Sequence, residues 1–142
     1  MSTLTLTVLL QLSVVASGSH DYREACRITE ATGQPLVVVV GADWCPACRQ
    51  MSQTVLPEVK RSGSMDKVVF TYVNIDQQGS LASKLTRGGN IPQLIVFCKT
   101  ETGWKRQGFV GARSAGEVKT FIARVSEGAE ASEKPIAELS SR

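Results

Sequence analysis

The hydrophobic positions of this chain fall into short runs that predict a sheet built from separated strands. The segment Pro35 to Gly41 holds an unbroken, β-branched apolar run between a proline and a glycine, as in a strand buried on both faces. Another strand is predicted over Val68–Asn74. Strands over Gln93–Cys98 and Trp104–Val110 are joined by a short polar turn, which predicts an antiparallel hairpin.

Helical patterns alternate with these strands. The first is predicted over Ser19–Thr32, capped by Ser19 or Asp21 and ended by Gly33. A second follows the buried strand, and Leu56-Pro57 is expected to break or kink it because proline removes a backbone donor. A short helix is predicted over Ser80–Arg87. A last helix is predicted to begin at Ser114, with an inward stripe of Val118, Phe121, Ile122 and Val125.

The two ends of the chain differ from this core in composition. Residues 1–18 contain no charge, so they fit either a signal peptide, which implies a periplasmic or secreted protein, or a first strand, which leaves a cytoplasmic one. They are too short and polar for a membrane-spanning helix, and no stable membrane association is expected. Residues 127–142 are rich in Ala, Glu and Ser and predict a disordered tail.

Composition narrows the function classes. An apolar fraction of 42% in 142 residues supports a single domain with its own core. The net charge of +3 comes from scattered Lys and Arg, so no nucleic-acid partner is predicted. One histidine and four cysteines without a second Cys-x-x-Cys give little support for a metal site.

The chemistry is concentrated in Asp43-Trp44-Cys45-Pro46-Ala47-Cys48, at the junction between the buried strand and the second helix. Free N–H groups and the positive end of a helix dipole favour a thiolate, so Cys45 is the predicted nucleophile. Cys48 lies on the same side of the first turn, close enough to form a disulfide with Cys45. Pro46 suits the first helical turn, where its missing N–H costs nothing.

Ala42 to Cys48 resembles the active-site motif of the thioredoxin superfamily, whose members usually carry Trp before Cys-x-x-Cys. The resemblance implies an α/β thioredoxin fold over 19–126, with a central mixed sheet of four to five strands flanked by helices. It also implies a cis-proline loop opposite the cysteines, and Ile91-Pro92 supplies the matching residues. The chain looks most similar to thioredoxin-like domains of bacterial disulfide-interchange reductases.

The resemblance also suggests a substrate-binding surface around the cysteines. Ile91 and Pro92 are expected to present backbone groups to an extended substrate segment, and Pro92 to keep metals off the cysteines. Trp44 and Pro46 are expected to supply flat apolar contact, although Trp44 also fits an ordinary core aromatic. Cys26 and Cys98 are interpreted as inert buried thiols rather than a second redox pair.

Four positions depart from the thioredoxin pattern. Thioredoxins usually carry a buried Asp–Lys pair that is thought to assist proton transfer at the resolving cysteine. Val39 and, by alignment, Tyr72 occupy those positions, and neither is expected to do that work. The dipeptide Pro46-Ala47 lacks the histidine of oxidases and isomerases, which predicts a moderately acidic Cys45 and a reducing pair.

The predicted function is therefore a thiol–disulfide oxidoreductase that reduces protein disulfides through Cys45 and Cys48. It needs no metal or organic cofactor, is expected to act as a monomer, and requires a disulfide-containing protein substrate and an unidentified electron-donor reductase. The alternatives are a disulfide oxidase or isomerase, a thioredoxin-like binding module without turnover, and metal or cluster binding across a dimer. Pro92 argues against the last of these.

Overall fold

A computed structural model describes residues 20–130, which include all the predicted elements between the two ends of the chain. The predictions for residues 1–18 lie outside the described residues, as does the predicted tail from residue 131 onward. The helices are α1 (Tyr22–Thr32), α2 (Pro46–Gln50), α3 (Leu56–Arg61), α4 (Gly79–Leu85) and α5 (Ala115–Glu130). The strands are β1 (Leu36–Gly41), β2 (Val69–Asn74), β3 (Gln93–Thr100) and β4 (Gly103–Val110).

The four described strands form one mixed sheet in the order β2-β1-β3-β4. Strand β1 pairs with β2 in parallel and with β3 in antiparallel orientation, and β3 and β4 form the predicted hairpin. Every residue of β1 is buried, as its unbroken apolar run predicts for a central strand with both faces covered. The predicted mixed sheet with flanking helices is confirmed.

The sheet separates two hydrophobic cores, because alternate side chains of a strand point to opposite faces. Val37 and Val39 of β1 pack on one face with α3 and α5. Val38 and Val40 pack on the other face with α1 and α4. The end of β1 therefore lies between two packed layers, which fixes the position of the motif that follows it.

The helix after the motif does not break at Leu56-Pro57, and of the two predicted outcomes, a break or a kink, the break is wrong. A π-helical turn over Met51–Val55 joins α2 to α3, and the Leu56 N–H donates to the Met51 carbonyl five residues earlier. Pro57 has no N–H to donate, and its ring crowds the carbonyl one turn back. The wider π turn accommodates both effects, so the helical segment 46–61, called the motif helix below, remains continuous.

The first and last helices begin at residues with capping side chains. Asp21 accepts a hydrogen bond from the Arg23 N–H, and Gly33 ends α1 in the left-handed conformation, as predicted. Helix α5 continues to Glu130, four residues past the predicted boundary between domain and tail. Residues 127–130, Glu-Gly-Ala-Glu, extend a helix already anchored by its buried stripe, although Gly128 is a poor helix former. No described helix is long and apolar enough to cross a membrane.

Candidate active site

Cys45 and Cys48 meet at the start of the motif helix, where the central strand delivers the chain. Cys45 is the N-cap of α2, with extended backbone angles, and its sulfur accepts a 3.2 Å hydrogen bond from the Cys48 N–H. Such a bond satisfies one of the free N–H groups of the helix and stabilises negative charge on the sulfur. Both residues are free thiols. The local sequence thus places two sulfurs within one helical turn.

The two thiols differ in their surroundings. Cys48 is 1% exposed and Cys45 is 6% exposed, and the two pack with Ala42 in a small cluster of their own. Burial, followed by the hydrogen bond to Cys45, raises the pKa of Cys48 to about 11, while a backbone hydrogen bond from Ala42 partly offsets this rise. Cys48 is therefore a neutral thiol near pH 7.

Trp44 stands on the surface beside the cysteines, with 62% of its surface exposed. Its indole N–H donates a 2.9 Å hydrogen bond to an Asp76 carboxylate oxygen, in the turn after β2. This bond holds the ring in place without burying it. The interpretation of Trp44 as an ordinary core aromatic is thus wrong, and Pro46 is exposed as well. The two side chains offer apolar contact area around Cys45.

The loop before β3 also lies beside the two cysteines. The Ile91–Pro92 peptide bond is cis, and the half-buried Ile91 packs against the cluster of Ala42 and the two cysteines. Pro92 is buried, and its carbonyl accepts a hydrogen bond from the Gly111 N–H. Within the described part of the chain, Ile91 makes no backbone hydrogen bond. Its N–H and C=O are thus available beside the thiols.

Beneath the motif, Val39 and Tyr72 are direct partners in the parallel pairing of β1 with β2. Both lie on the face of the sheet that the motif helix covers. Burial, and next the nearby Cys48, raises the pKa of Tyr72 to about 12, so its hydroxyl remains protonated at neutral pH. Val39 and Tyr72, the two positions that depart from the usual Asp–Lys pair, are thus neighbours in the fold.

Cys26 and Cys98 lie away from this site and from each other. Cys98 is 2% exposed in the core under α5, where its thiol lies 3.7 Å from the Val125 carbonyl. Cys26 is half-buried on α1 and packs in the core on the opposite face of the sheet. Since the sheet lies between them, the fold does not allow a second redox pair. Their interpretation as separate, non-catalytic thiols agrees with this placement.

Comparison with known proteins identifies the family. The family model described as Thioredoxin matches residues 16–124, which is most of the chain. The chain belongs to the thioredoxin family. Thioredoxin 1 of Chlorobaculum tepidum is 32% identical over 78 residues, which cover 54% of this chain and 72% of that protein. The proteins of this family are thiol–disulfide oxidoreductases.

Solved thioredoxin structures share the fold. The solution structure of a thioredoxin from Thermus thermophilus superposes with a TM-score of 0.65 at 23% identity, covering 80% of this chain and 89% of that one. Trichomonas vaginalis thioredoxin gives a TM-score of 0.59 at 28% identity, covering 72% of this chain and 88% of that one. The sequence-based assignment to the thioredoxin superfamily is confirmed.

Two residues at the site were missed or set aside by sequence reasoning. The sequence does not single out Asp76, because nothing in the local pattern connects it to an indole that precedes it by 32 positions. Tyr72 was set aside because it is neither acid nor base near neutral pH. An aspartate directly after a strand that ends beside the motif was the available signal for Asp76.

Proposed function

We propose that this thioredoxin-family protein reduces disulfides in protein substrates, with Cys45 as the nucleophile and Cys48 as the resolving thiol. The observation that carries the proposal is the Cys45 sulfur at the helix N-terminus, accepting the Cys48 N–H while the Cys48 side chain is buried behind it. The more accessible sulfur is also the one that a hydrogen bond stabilises as an anion. The order of attack follows from this asymmetry.

The reaction is thiol–disulfide exchange in two steps. The Cys45 thiolate attacks one sulfur of the substrate disulfide, forms a mixed disulfide, and releases the other substrate sulfur as a thiolate. The Cys48 thiolate then attacks the Cys45 sulfur, and the remaining substrate sulfur leaves. The substrate gains two electrons and the pair becomes a Cys45–Cys48 disulfide, which a partner reductase must reduce again.

The substrate segment is expected to bind along Ile91 in an extended conformation. The free backbone N–H and C=O of Ile91 lie beside the thiols and suit main-chain pairing with such a segment. Trp44 and Pro46 flank Cys45 on the exposed side and supply apolar contact. Pro92, which is buried, acts by setting the path of this backbone rather than by side-chain contact.

Serine variants of the two cysteines test the roles. Cys45→Ser should abolish catalysis of insulin reduction by dithiothreitol and leave only the uncatalysed rate, because the attacking sulfur is gone. Cys48→Ser should also stop turnover but accumulate mixed disulfides, visible by mass spectrometry, because the first step is intact and the second is not. Cys26→Ser, which alters a thiol outside the site, is the matched control and should retain full activity.

Equal and substantial activity in both active-site variants would contradict this assignment. An unmodified protein that binds partners but never reduces insulin would instead favour the thioredoxin-like binding module.

A further inference from the structure

The hydroxyl of Tyr72 and the buried thiol of Cys48 both lie close to Gly41, which has no side chain. A methyl group at Gly41 would lie 2.6 Å from the Tyr72 hydroxyl oxygen and 3.1 Å from the Cys48 sulfur. Both atoms therefore lie beside the same point at the end of β1, where glycine leaves room for them and a larger residue would not.

Apart from its own backbone, the other groups that act on the Cys48 sulfur are the Ala42 backbone and Cys45. Strand β1, which lies between β2 and β3, contributes only apolar side chains and glycine. The titratable groups that act on Tyr72 are Cys48, Asp43 and Cys45, all acidic. Within the described residues, the Tyr72 hydroxyl makes no hydrogen bond to another protein group, so its proton is available to a nearby acceptor.

The resolving step creates the need for such a donor. Cys48 must ionise before it attacks, yet burial of the side chain raises the pKa of this thiol. A protonated hydroxyl that donates to the sulfur stabilises the thiolate and not the thiol. The neighbouring acidic groups help to keep Tyr72 protonated, so it acts as a donor and not as a base.

We propose that Tyr72 is a positioning residue for resolution: its hydroxyl donates a hydrogen bond, directly or through one water, to the Cys48 sulfur as that sulfur becomes a thiolate. Val39 and Tyr72 occupy the positions where thioredoxins usually carry the Asp–Lys pair. Of the two, only Tyr72 has a polar group, its phenol hydroxyl. The inference rests on the proposed function and gives Tyr72 a role other than the proton transfer of the Asp–Lys pair.

In this step, the Cys48 proton leaves to solvent and the thiolate attacks the Cys45 sulfur of the mixed disulfide. The Cys45–Cys48 bond forms as the Cys45–substrate bond breaks, and the substrate sulfur departs as a thiolate that takes up a proton. Tyr72 keeps its own proton throughout. The hydroxyl therefore affects the rate and pH dependence of resolution without changing its stoichiometry.

Tyr72→Phe removes the hydroxyl and leaves the ring, and a stopped-flow reaction with dithiobis(nitrobenzoate) separates the two steps. The first coloured thiolate reports attack by Cys45 and the second reports resolution by Cys48, both in a Cys26→Ala background that removes the half-buried thiol. We expect about a tenfold slower second release near pH 7, and a pH midpoint about one unit higher, because one pKa unit is a tenfold change in thiolate fraction. The first release should be unchanged.

Tyr22→Phe is the matched control, since Tyr22 lies on α1 at the other face of the sheet and should affect neither release. A second release from Tyr72→Phe with the parent's rate and pH midpoint would overturn the inference. An equal slowing of both releases at an unchanged midpoint would also overturn it, because that pattern indicates a structural defect. A parent protein without any second release would overturn the proposed function, and this inference with it.

Discussion

At the scale of single residues, the dipeptide between the cysteines is the part of the site that differs most plainly from oxidising relatives. Pro46 and Ala47 carry no charge and no hydrogen-bonding side chain, so neither stabilises a Cys45 thiolate. A disulfide is a strong oxidant when its reduced, dithiol form is stabilised. Where the dithiol form gains little extra stability, the disulfide is a weaker oxidant. The residue identities therefore favour a reducing pair.

The reduction potential of the Cys45–Cys48 pair should be about −270 mV, the value typical of thioredoxin. Ala47→His should make the pair more oxidising, because an imidazolium beside Cys45 stabilises its thiolate. Equilibration with glutathione and dithiothreitol buffers measures the reduction potential of the parent protein and of the Ala47→His variant. A parent value near about −120 to −180 mV would instead place the protein with oxidases and isomerases.

At the scale of elements, α5 is anchored by a reciprocal cap that joins its first turn to the chain before it. The Ser114 hydroxyl accepts a hydrogen bond from the Glu117 N–H, and a Glu117 carboxylate oxygen accepts one from the Ser114 N–H. The Ser114 hydroxyl also donates to that carboxylate. These bonds, the hydroxyl first, lower the pKa of Glu117 below its usual range.

Ser114→Ala should lower the free energy of unfolding by about 1 kcal/mol at pH 7, the usual cost of losing an N-cap. Because the folded pKa of Glu117 is depressed, its contribution is full above the unfolded value of about 4.3 and is lost as pH falls through the folded value. The difference between parent and variant should therefore shrink below pH 4. Urea unfolding at several pH values measures it.

Glu117→Gln is the control, since an amide oxygen still accepts the hydrogen bond but does not titrate. A Ser114→Ala cost that stays constant from neutral to acid pH would show that the carboxylate adds nothing to the cap.

At the scale of the whole molecule, the sheet divides the chain into two cores and thereby decides how its cysteines behave. Cys98 faces α5, and burial raises the pKa of its thiol. Cys26 is half-buried at the surface of α1. The same residue type is thus protected on one face and partly accessible on the other.

In native buffer, iodoacetamide should modify Cys26 but leave Cys98 unmodified until global unfolding, because the Cys98 thiol is enclosed and protonated. The protein is first oxidised at Cys45–Cys48, and modified peptides are then quantified by mass spectrometry across a urea series. Modification of Cys98 should follow the main unfolding transition. Equal labelling rates for Cys26 and Cys98 in native buffer would contradict the placement of Cys98 in the core.

The positions of the strands, of the helices near the motif and of the pair Cys45–Cys48 can be predicted from the sequence. These features depend on periodicity, caps and spacing along the chain. The apolar run of β1 predicted its burial, and the polar turn predicted the hairpin. Ile91-Pro92 was found through a family resemblance, and its place beside the cysteines follows from packing of the fold.

The tertiary structure alone decided the contacts between distant segments. The hydrogen bond from Trp44 to Asp76 and the approach of Tyr72 to Cys48 across Gly41 depend on strand register and helix placement. The continuous helix through Pro57 also required a change in helical geometry that no local propensity favours. Local sequence fixes which groups are present, whereas packing fixes the distances between them, and hydrogen bonds and pKa values depend on those distances.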